Sequence, residues 1–142
     1  MFKFDEMNIL KPKYEQQRIN VIIFDDIIGF NNQRSGFVLQ NLIIKNRHHW
    51  ANVILTTQYI KSINPIIREN IDIWALFPSQ NKKAIIEKVY ELVSGLVTEE
   101  HFIELFDYAT AKPYSALVID NHKETPKANK FKINWNTIIR IN

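Results

Sequence analysis

The chain has 142 residues, of which 46% are hydrophobic, so it is long enough and apolar enough to bury the core of an ordinary domain. It contains no cysteine, which excludes disulfide bonds and thiolate metal sites, and no apolar run that predicts a membrane span or a secretory signal. Eighteen Lys and Arg residues against fifteen Asp and Glu give a formal net charge of +3, which permits a polyanionic partner without requiring one. We expect a soluble intracellular protein.

The first half of the chain predicts a strand, a helix and a second strand. Residues 1–19 are charged and irregular, and we interpret them as a lead-in without regular structure. Asn20 to Phe24 is an unbroken apolar run that ends at two aspartates, which is typical of a buried parallel strand. Residues 36–46 repeat apolar side chains at helical spacing, and residues 52–57 predict the next buried strand.

The second half continues the alternation of strands and helices. A proline at position 65 opens a short helical turn through Arg68, and residues 71–77 predict a third strand. Two amphipathic helices follow, the second behind a Thr98 cap. Residues 114–119 predict a fourth strand, and the alternation over residues 131–135 predicts a half-buried edge strand.

Strands alternating with helices predict one α/β domain over residues 20–142, with a largely parallel sheet flanked by helices. Ligands of such sheets bind at the carboxyl ends of the strands. The tryptophans at positions 50, 74 and 135 each adjoin an apolar strand or helix end, so we interpret them as packing residues.

Asp25 and Asp26 stand at the first of these carboxyl ends. Two adjacent carboxylates at the tip of a buried strand favour a cationic partner, and hydrated Mg²⁺ is the natural one. Many strand ends carry two acids by chance, however, so the pattern alone leaves a purely structural role open. Gln58, in the polar run after the second strand, could position water or sense a phosphate, or it could simply belong to a hydrogen-bonding strand end.

Arg47 and Arg68 flank the second strand and are candidates for reaching a phosphoryl group across a subunit boundary. The commoner alternative for each is a surface arginine paired with a carboxylate. The adjacent pair His48 and His49 does not predict a metal site, because neighbouring helical residues point about 100 degrees apart.

Two further features limit the chemistry. Asp120 and His122 could form an acid–base pair, although a turn aspartate beside a solvated histidine is the commoner arrangement. The chain holds three glycines and no Gly-x-x-x-x-Gly-Lys-Ser/Thr loop, so these residues cannot grip a triphosphate in the conventional way.

Three segments taken in order resemble the packaging ATPases of nucleocytoplasmic large DNA viruses, which belong to the FtsK/HerA superfamily of P-loop ATPases. These segments are VIIFDDIIGF, KNRHHWANVILTTQ and INPIIRENIDIWALF. The resemblance covers roughly residues 18 to 120, and its specificity lies in the joint spacing of the acid pair, Arg-His, Thr-Gln and Pro-Ile-Ile-Arg-x-Asn.

The resemblance implies a role for each candidate residue. Asp25 corresponds to the metal-coordinating Walker B acid, Asp26 to the catalytic acid and Gln58 to the polar sensor. Arg47 occupies the place of the arginine finger that completes a neighbouring subunit's site, and Arg68 is the second candidate. The implied fold is the carboxy-terminal part of a RecA-like ATPase domain.

The resemblance also implies the activity, which is ATP-driven translocation of viral double-stranded DNA into the capsid, with ATP and Mg²⁺ as cofactors. Implied partners are double-stranded DNA, other copies of the ATPase in a ring, and capsid or portal proteins, in a viral factory in the host cytoplasm or in the virion. The chain departs from the family in lacking the Walker A segment, so we expect it to be inactive alone. The alternatives are a non-catalytic remnant that binds DNA or a partner, and another FtsK/HerA-type DNA pump.

Overall fold

The computed structural model describes residues 20–27 and 33–140. The chain divides into two compact units, Met1–Asn70 and Ile71–Asn142, and each is described by itself. The predicted lead-in at residues 1–19 lies outside the described residues.

The described part of the first unit is built on two parallel strands. Its elements are β1 (Asn20–Phe24), α1 (Gln33–Ile44), a short 3-10 helix (Asn46–His49), β2 (Ala51–Leu55), a second 3-10 helix (Ile60–Ser62) and α2 (Pro65–Glu69). β1 and β2 pair in parallel from Asn20 opposite Ala51 to Phe24 opposite Leu55. The predicted order of strand, helix and strand is therefore confirmed.

The burial that the sequence predicts for the first unit holds for α1 but is wrong for β1 and β2, where Val21, Ile23 and Ile54 are exposed. α1 buries the apolar stripe formed by Leu39, Leu42 and Ile43. α2 begins where Asn64 Oδ1 accepts a hydrogen bond of 2.9 Å from the amide of Ile66, because an Asn cap satisfies an amide that the first helical turn leaves unpaired.

The described part of the second unit packs two helices with an antiparallel sheet. Its elements are β3 (Ile73–Leu76), α3 (Lys82–Val93), α4 (Glu99–Ala109), β4 (Leu117–Asp120), a 3-10 helix (Lys127–Asn129), β5 (Phe131–Ile133) and β6 (Thr137–Ile138). The sheet order is β3-β4-β5-β6, and each neighbouring pair is antiparallel. The largest fully buried side chains of this core are Val89, Val93, Phe102, Leu117, Val118 and Ile119.

The prediction of one largely parallel sheet is wrong. The structure is mixed α/β, with a two-stranded parallel sheet and a four-stranded antiparallel one. A single crossover helix between two strands makes the second strand parallel to the first. Here two consecutive helices, α3 and α4, connect β3 to β4, and β4 runs antiparallel to β3. β5 is not the edge strand that its alternation predicts, because β6 pairs with its outer side.

The packing interpretation holds for one tryptophan only. Trp74 is buried in the second unit, whereas Trp50 and Trp135 are 52% and 67% exposed. No helix within residues 20–27 and 33–140 has both the length and the apolar character needed to cross a bilayer.

Candidate functional site

The parallel register of the first unit brings the two predicted polar strand ends together. Phe24 and Leu55 are the last paired residues, so Asp25 and Thr56 emerge side by side. The Thr56 hydroxyl donates to Asp25 Oδ1 at 2.5 Å and accepts from the Asp26 amide at 2.8 Å. The hydroxyl directly after β2 thus contacts both acidic residues that follow β1.

Asp26 interrupts the ladder between the two strands. The Thr56 amide donates to the Phe24 carbonyl at 2.9 Å, and a regular parallel ladder would next join the Asp26 amide to the Thr56 carbonyl. Instead the amide of Ile27 makes that bond, at 3.0 Å. Asp26 is therefore an inserted residue of the bulge type, and its φ of 48° lies in the left-handed region, which aspartate tolerates better than most residues.

Thr57 ties the loop after Asp26 to the same strand end. Its hydroxyl donates to the Ile27 carbonyl at 2.9 Å and accepts from the Tyr59 amide at 3.1 Å. The polar run after β2 is therefore a hydrogen-bonding strand end, as one of the two interpretations predicted. Sequence reasoning did not assign Thr56 and Thr57 to the site, and the signal that could have found them is a pair of hydroxyl residues directly after a buried strand.

The carboxylates of this strand end face solvent. Asp25, Asp26 and Gln58 are all exposed. Among the side chains that the structure describes, which leave out Arg34 and Arg47, no lysine or arginine pairs with either carboxylate, and none donates a hydrogen bond to the Asp26 carboxylate. Gln58 follows two residues after Thr56, but no described hydrogen bond joins it to the acids.

These residues fit a hydrated divalent cation. Mg²⁺ at nucleotide sites uses one or two protein carboxylates and takes its remaining ligands from water and phosphate, and Asp25 and Asp26 offer two exposed carboxylates. The described residues contain no group of three His, Asp or Glu side chains placed to hold a metal. A cation at this strand end would therefore be held mainly by water and a ligand.

The two candidate arginines differ in their surroundings. Arg68 is only 8% exposed, and its Nη1 donates to the Ile63 carbonyl at 2.7 Å. Arg47 lies in the 3-10 helix Asn46–His49, which connects α1 to β2, and its side chain lies outside the described atoms. The structure thus does not bring the Arg68 guanidinium to the acid pair.

The second predicted pair, Asp120 and His122, forms a close contact in the second unit. His122 Nδ1 lies 2.8 Å from Asp120 Oδ1, and Lys132 Nζ lies 3.2 Å from the other carboxylate oxygen. Lys130 Nζ donates to the carbonyls of Asp120 and His122. An ionised carboxylate only accepts hydrogen bonds, so Nδ1 carries a ring proton and the pair holds the loop after β4 in place.

Comparisons of the chain with protein-family models, with curated proteins and with solved structures find no match.

Proposed function

We propose that this chain is the carboxy-terminal part of a P-loop ATPase that translocates double-stranded DNA, of the type that packages viral genomes. One observation carries the proposal. Two solvent-facing carboxylates follow a parallel strand directly, and the hydroxyl of Thr56, directly after the neighbouring strand, bonds the Asp25 carboxylate and the Asp26 backbone amide. Ligands of parallel α/β sheets bind at this end of the strands.

Each residue of this strand end has a separate role in the proposal. Asp25, with one oxygen bound by Thr56, holds Mg²⁺ through its remaining lone pairs. Asp26 orients the attacking water and accepts its proton, a role that suits a carboxylate without a cationic neighbour in the described structure. Gln58 hydrogen-bonds the terminal phosphate or the water. When bound, Mg²⁺ with ATP supplies the phosphoryl group and neutralises its charge.

The exposed apolar face of the parallel sheet supports a RecA-like parent domain. Val21, Ile23 and Ile54 are exposed on one face of β1 and β2, although parallel sheets are normally covered on both faces. A further polypeptide segment with a strand and a helix would cover this face. In the proposal, that segment carries the phosphate-binding loop, which has no counterpart in the 142 residues.

Arg47 is the preferred arginine finger. The Arg68 guanidinium is buried and donates to a carbonyl of its own unit, so its release would leave that carbonyl without its partner. The finger would act in a ring of ATPase copies that moves DNA toward a capsid or portal.

ATP hydrolysis in an assembly that includes the phosphate-binding loop tests this function. The loop is supplied in one longer polypeptide or as a separate chain, and turnover is measured with double-stranded DNA present. Asp26→Asn should lower turnover by roughly a hundred-fold or more while leaving nucleotide binding intact. Asparagine also tolerates the left-handed backbone of position 26, so the fold should persist.

Asp107→Asn, at an exposed position of α4, is the matched control and should leave turnover unchanged. Unchanged turnover in Asp26→Asn would remove Asp26 from the mechanism. No hydrolysis by the unsubstituted chain in any such assembly would favour the non-catalytic alternative.

A further inference from the structure

Three exposed aromatic side chains lie at one end of the antiparallel sheet. The register brings the end of β3, the start of β4 and the β5–β6 turn to the same end. Phe77 follows β3, Tyr114 precedes β4, and Trp135 lies in the turn; they are 55%, 96% and 67% exposed. We call this surface the aromatic end of the sheet.

Two hydrogen bonds between Asn134 and Ala116 hold the aromatic end in a defined arrangement. The Asn134 amide donates to the Ala116 carbonyl at 2.9 Å, and Asn134 Oδ1 accepts from the Ala116 amide at 3.0 Å. This double contact ties the turn that carries Trp135 to the segment that follows Tyr114. The two rings are therefore presented by fixed backbone.

The backbone of Tyr114 is strained, and its side chain does not contribute to the core. Its φ is 61°, a region that non-glycine residues with bulky side chains rarely adopt. A ring that is 96% exposed gains almost no burial to offset this cost. Glycine or asparagine would adopt this backbone conformation with less strain, so the stability of the fold does not explain a tyrosine at this position.

The segments of the aromatic end themselves carry only positive charge, although one of their lysines pairs with an aspartate of α4. The three segments that build it, residues 77–83, 110–117 and 133–137, contain three charged side chains, and all three are lysines. Lys82 pairs with Asp107 of α4, and Lys83 and Lys112 are exposed. Asparagine, glutamine, serine and threonine supply most of the other polar groups of these segments. Aromatic rings among lysines and amides match a polyanion with flat, unpaired bases.

We propose that the aromatic end binds single-stranded nucleic acid, with unpaired bases stacked on Tyr114 and Trp135 and phosphates close to Lys112 and Lys83. Neighbouring strands lie about 4.8 Å apart, so the surface from β3 to β5 spans roughly 10 Å, enough for two or three stacked nucleotides. Duplex DNA offers few free base faces to such rings. This surface belongs to the second unit and the acid pair to the first, and its binding requires neither ATP nor Mg²⁺.

Fluorescence anisotropy of the full 142-residue chain with labelled oligonucleotides tests the proposal. The probes are oligo-dU and oligo-U of about twelve nucleotides and a duplex of the same length, at low salt and without nucleotide. Both single strands should bind more tightly than the duplex, and because the two carry the same base, a difference between them shows whether the 2′-hydroxyl contributes. Tyr114→Ala and Trp135→Ala should each weaken binding by roughly five-fold to a hundred-fold.

Two further variants distinguish a lost binding surface from a damaged fold. Tyr114→Gly suits the left-handed backbone, so it should keep the melting temperature and still lose binding. Tyr108→Ala, on α4 and 67% exposed, should leave binding unchanged. Lys112→Gln should reduce the salt dependence of binding.

The proposal is overturned by any of three results. These are no single-strand binding by the unsubstituted chain, equal binding of single strand and duplex, or full binding by Tyr114→Gly. A protein partner would be the better explanation after the first of them. None of the three bears on the acid pair, because hydrolysis is measured separately.

Discussion

The Asp120 carboxylate is surrounded by compensating groups. Burial, the largest single influence, raises its pKa, but hydrogen bonds from His122, Lys132 and Thr125 and from the His122 amide lower the pKa to about 2. The group is therefore ionised at neutral pH and cannot serve there as a proton donor. It anchors the loop after β4.

This pKa predicts how stability depends on pH. A carboxyl group whose pKa falls from 3.8 in the unfolded chain to about 2 in the folded one stabilises the fold above pH 3.8, and the contribution is lost as pH falls toward 2. This pKa shift contributes on the order of 2 kcal/mol to the free energy of unfolding, and about half of that contribution should be lost near pH 3.

Urea unfolding of the unsubstituted chain and of Asp120→Asn, near pH 6 and near pH 3, measures this contribution. The difference in free energy of unfolding between the two proteins should shrink by about 1 kcal/mol at the lower pH. A difference that does not change with pH would contradict the assignment.

The acid pair after β1 has the opposite environment. Asp25 and Asp26 face solvent, and one hydroxyl from Thr56 is the described contact that they share. No described lysine or arginine side chain neutralises them. Exposed carboxylates, one of which accepts a hydrogen bond from Thr56, are suited to an external cation, whereas Asp120 already has its cationic partner.

At the scale of elements, Asn134 secures the β5–β6 hairpin. Its side chain and backbone both bond Ala116, and its φ of 53° lies in the region that asparagine and glycine adopt most readily. Comparing two substitutions at this position therefore distinguishes the free energy of the side-chain hydrogen bond from the free-energy cost of the backbone strain.

Asn134→Ala should lower the free energy of unfolding by about 2 kcal/mol, because it removes the acceptor of the Ala116 amide and adds left-handed strain. Asn134→Gly removes the acceptor alone and should cost about 1 kcal/mol less than the alanine variant. Urea denaturation measures both. Equal losses in the two variants would contradict a strained backbone at this turn.

The sequence predicts those strands and helices whose pattern of apolar and capping residues lies within the element itself. β1 follows from an unbroken apolar run, and α4 follows from helical spacing behind Thr98, whose hydroxyl accepts from the His101 amide. β6 has two residues and no pattern of its own, since its pairing with β5 defines it. The direction of β4 depends on the helix pair α3 and α4: the sequence predicts both helices, but the prediction of a parallel sheet treated the connection as a single crossover helix.

The candidate site shows the same limit. The sequence identifies Asp25 and Asp26 because two acids after an apolar run are a local feature. The Thr56 contact and the inserted position of Asp26 arise from the register of β1 against β2, which joins residues about thirty positions apart. Non-local pairing thus decides the details that matter for chemistry.

The whole molecule combines a parallel pair of strands in one unit with an antiparallel sheet in the other. The first unit exposes three aliphatic residues on one face of β1 and β2. Two-stranded sheets are weak by themselves, so further polypeptide against the first unit would stabilise it. The proposed function gives that polypeptide the phosphate-binding loop.

Paramagnetic line broadening tests most directly whether the acid pair receives a divalent cation. Mn²⁺ stands in for Mg²⁺ and is added in small amounts to the isotope-labelled 142-residue chain, followed by backbone amide spectra. The amides of Asp25, Asp26 and Thr56 should broaden first, and Asp25→Asn should abolish this effect while Asp107→Asn preserves it. Broadening that begins around Asp72 and Asp120, or that persists unchanged in Asp25→Asn, would contradict a cation site at the ends of the parallel strands.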